Sequence, residues 1–149
     1  MSEIKLVKAI KDDLPEVLAL RIATMSEHLE EVGWSMSEDE HMKRVMKNFD
    51  CGHMIWSDNA VVGFIKYKEQ PKSLDIIQFQ ISPEHQGKGL GKMVLEIIES
   101  QAHTKQKGLS LKVLKANPAK RLYERFGFKV VGEDEFEFFM EKSLKVPSS

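Results

Sequence analysis

The chain of 149 residues holds one cysteine, Cys51. A disulfide within the chain is therefore excluded, and so is a metal centre built from paired thiolates. That scarcity fits a reducing compartment. Long apolar runs are missing as well. No segment nears the roughly 20 residues that span a bilayer, and Met1-Ser2-Glu3-Ile4-Lys5 lacks the basic-then-apolar order of a secretory signal. The expected location is the cytoplasm. Charge of one sign is also scarce: 22 Lys and Arg face 23 Asp and Glu, for a formal net charge of −1. No overall basic field exists to recruit nucleic acid or a membrane surface, and a polyanionic partner is disfavoured on the same ground. Internal repeats, low-complexity tracts and linkers are absent, so one continuous domain over residues 1–149 is expected. What remains is an ordinary globular composition, 42% hydrophobic and 30% charged, at a length that buries a real core.

Apolar spacing lays out the elements. Residues 4–9 alternate as a first strand. Asp13 and Glu16 form a capping-box pattern with Pro15 in the first turn. Leu14, Val17, Leu18, Arg21, Ile22, Met25 and Leu29 follow at helical spacing, and Gly33 closes that helix. Ser37 and Glu40 open a shorter helix through Met42, Val45 and Met46. Residues 53–56 and 61–67 read as strands joined at Asp58-Asn59, and 74–81 as another. In that third strand Asp75, Ile77, Phe79 and Ile81 share one face, while Gln78 and Gln80 share the other. Met93, Val94, Ile97, Ile98 and Ala102 mark a helix ended by Gly108, and a strand follows over 109–114. Asn117-Pro118 starts a short helix, with Asn as cap and Pro in the first position. It carries Ala119, Leu122, Tyr123 and Phe126 on one face and stops at Gly127. Residues 128–131 and 136–140 are the last strands, and the tail 145–149 frays. The order predicts an α/β (α+β) fold: a mixed, mostly antiparallel sheet with helices on both faces and a central parallel strand–helix–strand crossover.

Between the third of these strands and its helix lies Gln86-Gly87-Lys88-Gly89-Leu90-Gly91-Lys92. Three glycines at alternate positions clear space for a pyrophosphate to approach backbone N–H groups, and the helix that follows turns its unpaired N–H groups toward the same point. Lys88 and Lys92 add positive charge. The usual owners of such a loop do not fit. A Walker A loop needs Ser or Thr after Gly-Lys, where Met93 stands. The dinucleotide fingerprint spaces its glycines differently and needs an acid that residues 109–114 lack. A tight Gly-rich turn without a ligand is the alternative.

One strand later comes Asn117-Pro118-Ala119-Lys120-Arg121-Leu122-Tyr123-Glu124-Arg125-Phe126-Gly127-Phe128. Taken with the segment from Ile81 to Gly91, it resembles the two cofactor motifs of the GNAT superfamily of acyl-CoA-dependent N-acetyltransferases. The resemblance covers residues 74–128; the first third of the chain adds only a compatible order of elements. It implies acetyl-CoA as acyl donor, no metal, and direct attack by a primary amine of a small-molecule or peptide acceptor in a ternary complex. Backbone groups of Phe79, Gln80 and Ile81 would pair with the pantetheine arm as a pseudo-strand. The N–H groups of Gln86, Gly87, Lys88, Gly89, Leu90 and Gly91 would hold the pyrophosphate, and Asn117 would contact the cofactor arm while capping its helix. Tyr123 would protonate the leaving thiolate, against the plainer role of a core aromatic. A homodimer is compatible with the sequence, and nothing in it requires one.

The reaction needs a base, because an amine of pKa about 10.4 is almost wholly protonated at neutral pH. Gln78 and Gln80 are neutral and cannot serve. Glu137 qualifies by position alone, against the reading of a solvated strand residue. The lack of a carboxylate on the third strand keeps a second class open: a GNAT-like sensor or scaffold that binds acyl-CoA without catalysis. Met25, His28, Trp34 and Met36 wall either an acceptor pocket or the core. His28 and His41 are not a metal pair, since no third ligand has suitable spacing. Cys51 reads as a small buried hydrophobe, and Glu133-Asp134-Glu135 as a solvated turn. Lys105, Lys107, Lys112, Lys115 and Lys120 are scattered solvation or an attractor for the 3′-phosphate of coenzyme A.

Overall fold

A computed structural model describes residues 3–144; the tail 145–149, expected to fray, lies outside them. Seven strands form one sheet in the order β1-β2-β3-β4-β5-β7-β6. They are β1 (Ile4–Lys8), β2 (Gly52–Ser57), β3 (Ala60–Glu69), β4 (Ser73–Ile81), β5 (Gly108–Leu114), β6 (Lys129–Glu133) and β7 (Glu137–Lys142). Every pairing is antiparallel except β4 with β5. Helix α3 (Leu90–Thr104) makes the crossover between those two, as a parallel pair requires. The sheet and the central crossover are as the sequence predicts.

The helices divide between two apolar clusters. Val17 of α1 (Leu14–Glu31) and Val45 of α2 (Glu38–Met46) bury with Ala9, Met54 and Phe64. Val94, Leu95, Ile98 and Ala102 of α3 bury with Tyr123 of α4 (Ala119–Phe126) and with Ile65, Leu74, Ile76 and Leu111 of the sheet. Lys66, fully buried in β3, donates from Nζ to the carbonyls of Arg44, Val45 and Lys47 at 2.9, 3.0 and 2.6 Å. A cation thereby closes the carboxyl end of α2, where the last carbonyls lack helical partners.

Local signals held where their partners are near in sequence. Ser37 and Glu40 form the reciprocal capping box, and Asp58 turns the β2–β3 hairpin at φ 56°. Two helix ends differ. Asp13 does not cap α1 in a box with Glu16; its carboxylate accepts from the Ile10 N–H at 2.9 Å, holding a 3-10 turn over Lys11–Asp13. Helix α3 ends at Thr104, with Gln106 at φ 55°, before Gly108. Gly108 instead opens β5, where a Cβ would sit 2.6 Å from the Lys142 carbonyl. Cys51 is half-buried in a 3-10 turn, not a core residue.

Candidate active site

Strand β4 carries the distortion on which the site rests. Opposite the adjacent residues Lys66 and Tyr67 of β3 stand Gln78 and Ile76, so Ile77 is an extra residue. Such a bulge resets the alternation of faces. Leu74 and Ile76 pack toward the α3 cluster and so do Phe79 and Ile81, whereas Ile77 is exposed. The expected shared face of Asp75, Ile77, Phe79 and Ile81 is therefore broken. Asp75 accepts from Ser110 Oγ at 2.8 Å in the β4–β5 seam. Gln78 and Gln80 lie buried; Gln78 donates to Gln80 Oε1 at 2.8 Å, and Gln80 reaches Met25 of α1 at 3.4 Å.

The bulge falls where the sheet opens. β4 pairs with β5 only from Ser73 to Ile76, while β5 continues along β7 as far as Leu114 opposite Glu137. Residues 77–81 thus keep β3 on one side and have no strand on the other. A cavity of about 540 Å³ fills the gap, and its wall takes in Phe79, Gln80, Ile81, Gln86, Gly87, Gly89, Leu90, Gly91, Lys92, Asn117 and Tyr123. Of the predicted site residues only Lys88 stays off the wall; it is exposed.

The Gly-rich loop divides its labour differently from the sequence expectation. Gly87 and Gly89 both sit at φ 78°, with open space where a Cβ would be. Left-handed glycines of this kind turn successive N–H groups into an anion-binding concavity. Gly91 serves packing: a Cβ there would meet Leu122 of α4 at 2.9 Å. Gln86 also departs from expectation. Its N–H is taken by the Pro83 carbonyl at 3.3 Å, and its side chain donates to the Ile81 carbonyl at 2.9 Å. Free amides thus begin at Gly87 and run into the unpaired first turn of α3.

Just before α4, Asn117 lines the cavity and its Oδ1 accepts from the Ala119 N–H at 2.9 Å; the helix starts at Ala119, so Pro118 stands at the cap position and not, as expected, at the first helical one. Tyr123 is 7% exposed. Burial alone pushes its hydroxyl well above the ordinary tyrosine range, so it carries a proton at any neutral pH. Glu137 is no solvated residue. It is half-buried in the same wall, and burial, then Asp134, raise its carboxyl above the usual range against the pull of Lys112, Arg44 and Arg21.

Met25, His28, Trp34 and Met36 line the cavity as well, and Trp34 stacks on Phe136 at 4.9 Å. Two residues beside them escaped the sequence reading. Arg21 is 6% exposed, and Arg44 lies with its guanidinium 4.7 Å over the Trp34 ring. The signal for Arg21 was a charge on the apolar stripe of α1; Arg44 carries none. The lysines proposed to attract a 3′-phosphate are otherwise engaged: Lys105 and Lys107 with Glu69, Lys115 with Glu133, Lys120 with Glu124, and Lys112 over the Phe139 ring. In the turn between β6 and β7, Asp134 is more than solvated: it accepts from the N–H groups of Phe136 and Glu137.

A family model for an acetyltransferase (GNAT) domain matches residues 21–139. The chain belongs to the GNAT acetyltransferase family. Among its relatives, a spermidine N(1)-acetyltransferase of Thermoplasma acidophilum is 31% identical over 94 residues, 60% of this chain and 57% of the relative. The chain thus spans little more than half the length of that relative. Among solved GNAT-like folds, the PaiA N-acetyltransferase of Thermoplasma acidophilum in complex with coenzyme A superposes with a TM-score of 0.74 at 20% identity, over 95% of this chain and 99% of that one. An acetyltransferase from Thermus thermophilus gives 0.74 at 18%, over 95% and 97%. Acetyl-CoA fits this GNAT chain as acyl donor: the positive-φ glycines, the free amides after them and the open edge of β4 answer to a pyrophosphate joined to an extended arm. Among the described residues no group of three or more His, Cys, Asp or Glu is placed to hold a metal ion, and no helix is long and apolar enough to cross a membrane.

Proposed function

We propose that the protein is an acetyl-CoA-dependent N-acetyltransferase that acts on a primary amine by direct attack in a ternary complex. The observation that carries this reading is the opening of β4 from β5 after Ile76, which sets an unpaired strand edge beside both the Gly87–Lys92 amides and Tyr123. Amides from Gly87 onward hold the pyrophosphate, with Lys92 adding charge. The free edge over Phe79, Gln80 and Ile81 binds the pantetheine arm as a strand would, and Asn117 meets that arm from the start of α4. The thioester supplies the activated acetyl group. Glu137 takes a proton from the acceptor ammonium, so that the neutral amine attacks the carbonyl carbon as the carbon–sulfur bond breaks. Tyr123 gives its proton to the departing sulfur and is restored by the second proton, which the nitrogen sheds as it becomes an amide, while the first leaves from Glu137 to solvent. A primary amine as acceptor agrees with the activity that the spermidine acetyltransferase relative is named for.

Thiol release from acetyl-CoA across a panel of amines tests the reading. Tyr123→Phe is expected to lower kcat roughly 10²- to 10⁴-fold, the range for a lost general acid, with acetyl-CoA affinity unchanged within a few-fold. Unchanged turnover would remove Tyr123 from the mechanism. Tight acetyl-CoA binding with no transfer to any amine would favour the sensor or scaffold instead; Glu137 in the cavity wall argues against that alternative.

A further inference from the structure

Arg21 is a buried guanidinium without a carboxylate. Of its five N–H donors, Nε reaches His41 Nδ1 at 3.1 Å, and Nη2 reaches only the Met36 sulfur, at 3.9 Å. Neither partner carries negative charge. Buried charges are ordinarily paired, and among the described residues no ion pair is made by Arg21. Burial, then Arg44, lowers its pKa to about 10 against the pull of Glu137. Arg44 stands in the same wall, stacked on Trp34. A guanidinium stacked on an indole keeps its N–H edge free for a carboxylate fork.

The rest of the wall points the same way. Its charged members are Arg21, Arg44, Lys92, Lys112 and Arg125 against Glu137 alone. Lys92 belongs to the pyrophosphate loop; on the side of Trp34 and Met36 the charges are Arg21 and Arg44. Yet Glu137 forms no ion pair with either Arg21 or Arg44, although all three feel one another's charge. All three line the cavity. Beside it, Gln78 Oε1 is buried with no hydrogen-bond partner among the described residues, an acceptor suited to an ammonium.

We propose that the acceptor is a zwitterionic amino acid, its carboxylate held by Arg21 and Arg44 and its amine directed to Gln78 and Glu137. This rests on the acetyltransferase reading, whose acceptor it names. The two arginines, neither in an ion pair among the described residues, make the carboxylate the recognised group, while Met25, Trp34 and Met36 offer apolar surface to the side chain.

The probes are the twenty common L-amino acids, each paired with its carboxamide, and spermidine. Each is titrated calorimetrically into protein saturated with coenzyme A, and each is assayed for thiol release from acetyl-CoA. At least one amino acid is expected to bind and to be acetylated with kcat/KM roughly 10- to 100-fold above its amide, the value of a charged hydrogen bond. The amide's amine is the less basic, so intrinsic reactivity runs the other way. Arg44→Gln, at an exposed residue, is expected to bring acid and amide within a few-fold. Arg21→Lys, which keeps the charge and loses the fork, is expected to shrink the preference as well. The inference is overturned if no amino acid binds, if amides or spermidine serve as well as acids, or if both arginine variants leave the ratio unchanged. Acetylation of spermidine alone would overturn it and leave the acetyltransferase reading standing. An amino acid that binds through the arginines without thiol release would overturn both the acceptor role and the acetyltransferase reading, leaving an amino-acid site on a sensor.

Discussion

Burial strengthens the hold of both Tyr123 and Glu137 on their protons. For the donor role proposed for Tyr123 the effect keeps the proton in place at every working pH. For the base role proposed for Glu137 a raised pKa is the useful direction, since a base works best with its pKa near the operating pH. The acidic limb of the kcat/KM profile should therefore lie above the ordinary carboxylate range, and Glu137→Gln should abolish that limb. Stability gives an independent check. An acid whose folded pKa exceeds its unfolded value favours the fold while protonated, and loses that contribution as pH rises through the folded pKa. Glu137 thus weakens the fold at pH 7, and Glu137→Gln is expected to raise Tm there while lowering turnover. A variant with lower Tm and an unaltered profile would make Glu137 structural. Tyr123 was legible because a motif surrounds it. Arg21 was half-legible as a charge on an apolar stripe, and Glu137 became a site residue only once β7 was placed against β5.

The glycines of the loop are separable at the level of the element they serve. Gly89 precedes α3 at φ 78° with free space around its missing Cβ, whereas the missing Cβ of Gly91 faces Leu122. Gly89→Ala forces a left-handed alanine, at about 1–2 kcal/mol, and narrows the approach to the amides. It should weaken acetyl-CoA binding at least tenfold with a modest fall in Tm. Gly91→Ala should act chiefly on α3–α4 packing, lowering Tm with a smaller loss of affinity. Titration calorimetry and thermal melts on both variants check this; equal effects would mean that the two glycines share one role. Elements set by neighbours in sequence were the legible ones: the Ser37–Glu40 box and the Asp58-Asn59 hairpin each close within three residues, and the start of α4 fell one residue from its expected place. The bulge at Ile77 and the start of β5 at Gly108 depend on Lys66–Tyr67 and on Lys142, which lie distant in the chain. A strict alternation read from β4 alone therefore put Phe79 on the side of Ile77.

Across the whole molecule the sheet is joined at its centre by a short parallel seam. β1 to β4 form one antiparallel run, β5 to β7 another, and only four residue pairs, Ser73↔Gly108 to Ile76↔Leu111, connect them. The rest of the join is α3 and α4, packed over both halves. A donor lying along the open edge would touch β4, the start of α3 and the start of α4 together, and so tie the halves. Coenzyme A at 100 times its Kd would add about 2.7 kcal/mol to stability, which is a rise in Tm on the order of 5–10 °C for a domain of this size. The pattern of amide exchange is more discriminating than that shift. Amides that exchange only by global unfolding slow by the factor that the stability gain sets. Amides of residues 77–81 that face the gap, and those of 87–92, have no strand or helix partner to open. Their exchange should slow only through direct contact with the ligand, while the exposed edges β1 and β6 stay as they were. Slowing spread evenly over the sheet, with none at 77–81 and 87–92, would show that coenzyme A binds elsewhere and that the opening of β4 from β5 is not the donor site.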